Sequence, residues 1–471
     1  MAVLACPLCH RTNPGDAKFC FFDGHRLRTP ADAETSPQVQ TPPPNPGNMH
    51  LETVAVSQRE GVSPEISQEV EIVDLHWADF RRAVAEKGDA RPFLQVAAPR
   101  GLQVWQKAAN GGRPEAQVLV GKAHEYGLGT REDLTLAIEC FQRAASAGNT
   151  VAQATLGRLS YQGRGVLQSD ADAIVWFRKA AAQGLADAQS ALGVMYHQGR
   201  GVPQSDAAAS AWLRRAADQG FAAAEAALAA MYMQGRGVPQ NDAEAAAWLH
   251  RSAVRGYVPA QLLLASCHGS GRGVPRSDAE AAGWLQKAAD QGSAAAQCLL
   301  GLMCLEGRGV PKNDSDAANW FHSAANQKDA LPFLDRMADD QEYLQTSAQM
   351  IATAQFNLGM LYYHGRGVPE QRYKAVLWLR RAALREHGLA QNKLGEMYFQ
   401  GDGIRQSETD AAHWLGKAAE KGIAAAQYNF GWMCEYGRGV SKDRNRARKW
   451  YRMAAEQNHP EAMKAILRLG G

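Results

Sequence analysis

The stretch Ala186-Asp-Ala188-Gln-Ser-Ala-Leu192-Gly193-Val-Met-Tyr196-His-Gln-Gly199-Arg200-Gly201-Val-Pro-Gln-Ser205-Asp-Ala-Ala-Ala209-Ser-Ala-Trp212-Leu213-Arg-Arg-Ala216-Ala217-Asp-Gln-Gly220-Phe221 decides how this chain folds. Its 36 residues hold two helical patterns separated by a turn. Ala188, Leu192, Gly193 and Tyr196 fall at i, i+4, i+5 and i+8, a single apolar stripe along a first helix. Gly199-Arg200-Gly201 predicts its stop, because glycine takes left-handed backbone angles without a Cβ clash. Ser205 predicts the cap of a second helix, since its hydroxyl can accept from a backbone N–H that has no partner inside the helix. Ala209, Trp212, Leu213, Ala216 and Ala217 give that second helix its own stripe.

The same unit is written nine times. Its Gly-x-Gly recurs at Gly127, Gly163, Gly199, Gly235, Gly271, Gly307, Gly365, Gly401 and Gly437, always 36 residues apart except between the sixth and seventh copies, where an insertion of 22 lengthens the step to 58. A fixed period of this size predicts a solenoid, in which each unit buries its apolar face on its neighbours. The position of Ala188 is alanine in all nine units, and that of Gly193 is glycine in seven, replaced by Ala229 and Ala265. A mid-helix glycine costs about 1 kcal/mol relative to alanine, so close helix approach is the expected reason for it. The capping column reads Asp133, Ser169, Ser205, Asn241, Ser277, Asn313, Gln371, Ser407 and Asp443, and eight of those nine can cap. Asp172, Glu244, Glu280, Asp316 and Asp410 add capping-box or dipole support three residues later. Eight tryptophans share one column, which reads as packing against the small residues opposite rather than as a rail for ligand stacking.

Composition narrows the function. A formal charge of +3 over 471 residues is too near balance to make nucleic acid or an anionic membrane the main partner. No apolar stretch approaches the roughly 18–20 residues needed to span a bilayer, and Met1-Ala2-Val3-Leu4-Ala5-Cys6 does not resemble a signal peptide, so a soluble, cytoplasmic protein without membrane insertion is expected. Cys140, Cys267, Cys298, Cys304 and Cys434 do not recur with the period, which argues for small core residues rather than a disulfide framework. No nucleophile elbow, metalloprotease helix or phosphate-binding loop string occurs, so the chain is read as not an enzyme, without a small-molecule substrate.

The strings Ala-x-Ala-Gln-x-x-Leu-Gly-x-x-Tyr, Gly-Arg-Gly-Val-Pro and Ala-x-x-Trp-Leu-x-x-Ala-Ala-x-x-Gly resemble the Sel-one-like repeat (SLR) family, over about 114–471. The resemblance implies an all-α protein, an α/α solenoid of helical hairpins coiled into a right-handed superhelix and related to tetratricopeptide repeats. It also implies an adaptor that assembles protein complexes, often in bacteria. Some family members are secreted, cysteine-rich and described as penicillin-binding; that branch pairs cysteines once per repeat, and this chain does not.

The head resembles a small zinc ribbon, with Cys6, Cys9 and Cys20 as thiolate ligands and Asp23 in the last knuckle position, or His25 two residues on. Thiolates at i and i+3 of a tight turn converge on one ion, and a domain this small has no core without it, so structural zinc is the expected cofactor. Residues 1–28 are assigned to this ribbon. Residues 29–72, rich in proline, serine, threonine and glutamine, read as a disordered linker that lets the head range about 35–40 Å. Residues 73–113 read as atypical N-terminal capping helices, 114–328 as repeats one to six, 329–351 as a helical insertion, 352–459 as repeats seven to nine and 460–471 as a C-terminal capping helix. Asp89-Ala90-Arg-Pro92-Phe93-Leu94 matches Asp329-Ala330-Leu-Pro332-Phe333-Leu334 at an offset of 240, so the same interruption occurs twice. The second copy is a hinge, a docking surface or simple packing.

Positions that escape the repeat are free to encode recognition. The most varied first-helix column is Lys122, Arg158, Val194, Ala230, Ser266, Leu302, Met360, Glu396 and Trp432, on the helix that lines the concave face in related solenoids. With Phe356, Asn357, Asn392, Lys393, Tyr428 and Asn429 it makes repeats seven to nine the aromatic and polar end, a candidate site for a protein or peptide partner, with Trp432 as an anchor or a packing residue. The turn arginines Arg164, Arg200, Arg236, Arg272, Arg308, Arg366 and Arg438 read as structural bonds to backbone or a neighbouring unit, and the run from Lys442 to Arg452 as a solvated face. The expected function is a non-enzymatic scaffold with the ribbon as a second tethered module. The alternatives are a β-lactam or cell-wall-fragment protein, and a weak nucleic-acid binder.

Overall fold

Thirteen-residue helices alternate with two kinds of short turn along a computed structural model that describes residues 3–5, 12–14, 64–87, 90–327 and 341–469. Two leading helices, α1 (Pro64–Lys87) and α2 (Arg91–Asn110), precede the repeats. Units one to three are α3 (Pro114–Tyr126) with α4 (Leu134–Ser146), α5 (Thr150–Gln162) with α6 (Asp170–Ala182), and α7 (Ala186–Gln198) with α8 (Asp206–Asp218). Units four to six are α9 (Ala222–Gln234) with α10 (Asp242–Val254), α11 (Val258–Ser270) with α12 (Asp278–Asp290), and α13 (Ala294–Glu306) with α14 (Asp314–Ala325). Units seven to nine are α15 (Gln341–His364) with α16 (Arg372–Leu384), α17 (Gly388–Gln400) with α18 (Glu408–Glu420), and α19 (Ala424–Tyr436) with α20 (Arg444–Glu456), followed by α21 (Pro460–Arg468). Each helix packs against the next in sequence, as a solenoid of hairpins requires. No helix among the described residues is long and apolar enough to cross a membrane.

Local chemistry sets these boundaries. The first helix of every unit ends at a glycine in the left-handed region, such as Gly199 at φ 69°, whose N–H returns to the Met195 carbonyl. The second helix begins where Asp133, Ser169, Ser205, Asn241, Ser277, Asn313, Ser407 and Asp443 each accept a backbone N–H bond, while Gln371 makes no side-chain cap. The second turn glycine is required by contact: a Cβ on Gly237 would lie 2.0 Å from the Asp206 carbonyl oxygen of the preceding unit. The mid-helix glycine has the same origin, since a Cβ on Gly301 would lie 2.6 Å from the Phe321 ring.

The nine alanines of the Ala188 column are all fully buried. The residue after the tryptophan column is buried in every unit, fully so at Phe141, Phe321, Leu379 and Tyr451. The tryptophans sit nearer the rim. Trp248, Trp284 and Trp414 are buried, the other five are half-buried, and a cation three residues on covers most of the rings, as Lys179 does Trp176 at 4.4 Å and Arg251 does Trp248 at 4.5 Å. The column thus packs as expected while keeping one edge at the surface.

Two polar ladders run along the array, the first within units and the second between them. Gln183, Gln219, Gln291, Gln327 and Gln457 donate through Nε2 to the glutamine 30 residues earlier at 2.8–3.1 Å. In unit four the rung becomes an ion pair between the buried Glu225 and Arg255 at 3.5 Å. The turn arginines form the second ladder, reaching the first residue of the preceding unit's second helix: Arg200 to Asp170 at 2.7 Å, Arg272 to Asp242 at 2.8 Å and Arg366 to Asp314 at 2.9 Å. In unit eight the signs are exchanged, with Asp402 in the turn and Arg372 on the helix, and the bond persists at 3.1 Å.

Helix α1 starts at Pro64, inside the stretch read as linker; proline is tolerated at a helix start and Glu65 follows it there. Residues 341–351 of the insertion continue into α15 as extra turns of the first helix of unit seven. In the N-terminal unit, β1 (Val3–Ala5) pairs antiparallel with β2 (Thr12–Pro14), Leu4 opposite Asn13. The proposed zinc ligands Cys6, Cys9, Cys20, Asp23 and His25 lie outside the described residues, as do the linker up to Ser63 and residues 328–340 of the insertion.

Candidate functional site

Three parallel first helices, α15, α17 and α19, carry the residues that depart from the repeat. All nine proposed site residues on them are half-buried. Trp432 meets Phe399 edge to face at 5.6 Å and leans on Tyr436 at 5.0 Å. Tyr436 itself is 46% exposed, so this aromatic group opens to solvent. Phe356 stacks on His387 at 4.8 Å and Tyr428 on His459 at 4.9 Å, a step of two units apart. Each imidazole also caps the following first helix, His387 Nδ1 accepting from the Ala390 N–H at 3.2 Å and His459 Nδ1 from the Ala462 N–H at 3.4 Å. Acceptance at Nδ1 requires an unprotonated nitrogen, and burial, together with the Lys421 charge, lowers the His387 pKa.

The polar members form a connected set. Asn392 Nδ2 donates to Glu396 Oε1 at 2.8 Å, and Lys393 approaches Glu396 at 3.7 Å while lying 3.9 Å from the Tyr363 ring centroid. Asn357 Nδ2 donates to the Thr353 carbonyl at 3.0 Å. The Oδ1 of Asn392 is buried without a hydrogen-bond partner among the described residues. Asn429 and Met360 complete the surface. The structure therefore brings the proposed residues onto neighbouring helices, with charges that cancel locally and aromatic edges between them.

Tyr363, Phe399 and Tyr436 were missed by the sequence reading. They lie one helical turn beyond the column chosen for its variability: Tyr363 and Phe399 belong to the equally varied column Glu125, Tyr161, His197, Met233, Gly269, Leu305, Tyr363, Phe399, Glu435, and Tyr436 to the column after it. Scanning two adjacent columns together would have found them.

At the other end the same variable column is structural. Lys122 is 8% exposed and bonds the fully buried Glu125 at 2.8 Å, and Arg158 bonds the other Glu125 oxygen at 2.6 Å. Arg164 joins them at 3.6 Å. Burial alone would raise the Glu125 pKa, but the Lys122 and Arg158 charges and hydrogen bonds outweigh it and hold the carboxyl at about 2. Variation there reflects exchange of one ion-pair arrangement for apolar packing rather than freedom to bind.

The Sel1 repeat model matches nine segments, 114–149, 150–185, 186–221, 222–257, 258–293, 294–329, 352–387, 388–423 and 424–459. Among solved structures, a Sel1 repeat protein from Oxalobacter formigenes is 30% identical, covering 70% of this chain and 90% of its own, with a TM-score of 0.52. A protective antigen of uropathogenic Escherichia coli strains displaying an SLR fold is 33% identical, covering 78% of this chain and 81% of its own, with a TM-score of 0.45. No curated protein matches the chain. Nine matches across most of the chain, interrupted once and in the same register as the glycine turns and capped helices, place this protein in the Sel1 repeat family.

Proposed function

We propose that the chain is a non-enzymatic interaction scaffold that binds an extended peptide of a partner protein across the first helices of units seven to nine. The observation that carries the reading is the open aromatic group of Phe399, Trp432 and Tyr436. Aromatic side chains with one face packed and one edge exposed are the usual anchors of an interface. Repeat proteins of this class use the face formed by their first helices in this way. The N-terminal segment, with Cys6, Cys9, Cys20 and Asp23 or His25 holding zinc, would act as a second module; the antiparallel pairing of β1 with β2 on either side of Cys6 and Cys9 supports it.

Cross-linking of the full chain in cells, followed by mass spectrometry, identifies the partner. The Trp432→Ala/Tyr428→Ala variant is then compared with Val194→Ala, which lies on the same column outside the site. At least tenfold weaker partner recovery for the double variant alone is the expected result. Equal recovery by both variants would remove units seven to nine as the binding surface.

A further inference from the structure

The step between units four and five lacks a latch that the two steps before it have. Between units two and three, Arg178 Nη2 of α6 donates to the Tyr196 hydroxyl of α7 at 3.0 Å. Between units three and four, Arg214 of α8 bonds the Tyr232 hydroxyl of α9, with its guanidinium 5.8 Å from the Tyr232 ring and 5.9 Å from Trp248 of α10. One step on, the arginine position is His250 and the tyrosine position is His268.

The two histidines do not rebuild the latch. A cavity of about 370 Å³ opens between α10, α11 and α12, walled by Ala246, Leu264 and Trp284 and bordered by His250, His268 and Glu280. Its size falls within the range of ligand pockets. His250 meets Trp284 edge to face at 5.5 Å, taking up only part of the space that Arg214 fills against Trp248. The Nδ1 of His268 is buried with no hydrogen-bond partner among the described residues. Glu280 is exposed beside it and supplies a carboxylate. Lys287 covers Trp284 at 3.7 Å just as Arg251 covers Trp248 at 4.5 Å, so that cation is common to the filled and the open step. The corresponding opening between units eight and nine, beside Gly416, is walled by Phe430, and the position of His268 there is the buried Cys434.

We propose that the cavity between units four and five binds the guanidinium group of an arginine side chain presented by a partner polypeptide. The chain itself shows the fit twice, at Arg178 and Arg214, with its own arginine in the equivalent place. At the open step the His268 imidazole stands where the phenol stands in the filled steps, Trp284 offers the aromatic surface, and Glu280 supplies the balancing charge. A lysine ammonium lacks the planar fork that lies between ring and acceptor, so it binds less well.

The probe is the peptide acetyl-Gly-Arg-Gly-amide, titrated calorimetrically into the full chain beside its neutral citrulline analogue. Saturable binding is expected, at least tenfold weaker for citrulline and at least threefold weaker for the Glu280→Gln variant. The His250→Arg/His268→Tyr variant rebuilds the latch from within; it should lose the peptide and melt a few degrees higher. Absence of saturable binding to the wild type, equal affinity for citrulline, unchanged affinity in Glu280→Gln, or retained binding in a folded double variant would each overturn the assignment.

Discussion

At Glu125 three cations surround one carboxylate that water does not reach. Because its pKa in the folded chain, about 2, lies below the ordinary 4.5, the stabilisation is complete above the unfolded value. It is lost as pH falls from about 5 towards 2, an interval worth about 3 kcal/mol. Glu125→Gln should therefore lower the unfolding free energy by about 3 kcal/mol at pH 7, because Lys122 and Arg158 remain buried without their counter-charge. Urea titrations at a series of pH values check this: the gap between wild type and variant should narrow towards pH 2, and a gap independent of pH would assign the loss to packing instead. The same scale separates the varied column into residues that bind the fold together, Lys122 and Arg158, and residues that face outward, Met360, Glu396 and Trp432.

Between elements, the exchanged pair Arg372 and Asp402 offers a direct measure of what one rung of the arginine ladder contributes. Both side chains are about one-third exposed, at 35% and 27%, so a surface-like magnitude applies. Asp402→Arg restores the residue usual in the turn but sets it against Arg372, and Arg372→Asp sets two acids together. Each single variant should lose stability, and the double variant, which carries the orientation used elsewhere in the array, should recover it. A double-mutant cycle in guanidinium chloride is expected to give a coupling of about 0.5–1 kcal/mol. A coupling of zero would mean that the stacked helices fix the turn and the ion pair merely follows.

For the molecule as a whole, the junction of units six and seven decides whether the nine repeats behave as one array. One core crosses it: Phe321, Ala324 and Ala317 of unit six pack with Ala354, Leu358 and Leu361 of unit seven, despite the inserted residues. Phe321 is fully buried against Gly301 and has no exposed alternative. Stability in such an array is a sum of unit and nearest-neighbour terms, so weakening one interface uncouples the flanks. Phe321→Ala should cost about 3–5 kcal/mol locally and split denaturant unfolding into two resolved steps, followed by circular dichroism and tryptophan fluorescence. Coincident, merely shifted transitions would show that the coupling of the two blocks does not depend on Phe321.

The hairpin unit, its boundaries and its register were legible in the order of residues alone. Those features rest on short-range chemistry repeated nine times: glycines that must turn left-handed, oxygens that cap the next helix, alanines spaced to one face. Even the turn arginines were legible as structural, because a residue repeated with the period serves the period. What only the tertiary structure decided is which side chains meet across units. No pattern along the chain could show that Lys122 is buried on Glu125, that Trp432 leans on Tyr436 while Phe399 comes from the helix before, or that His250 and His268 leave a space their neighbours fill. The contacts that close these groups, Arg158 on Glu125 and Phe399 on Trp432, join residues 33 positions apart, and their geometry depends on how closely each hairpin lies on the next, which packing fixes and local propensity does not.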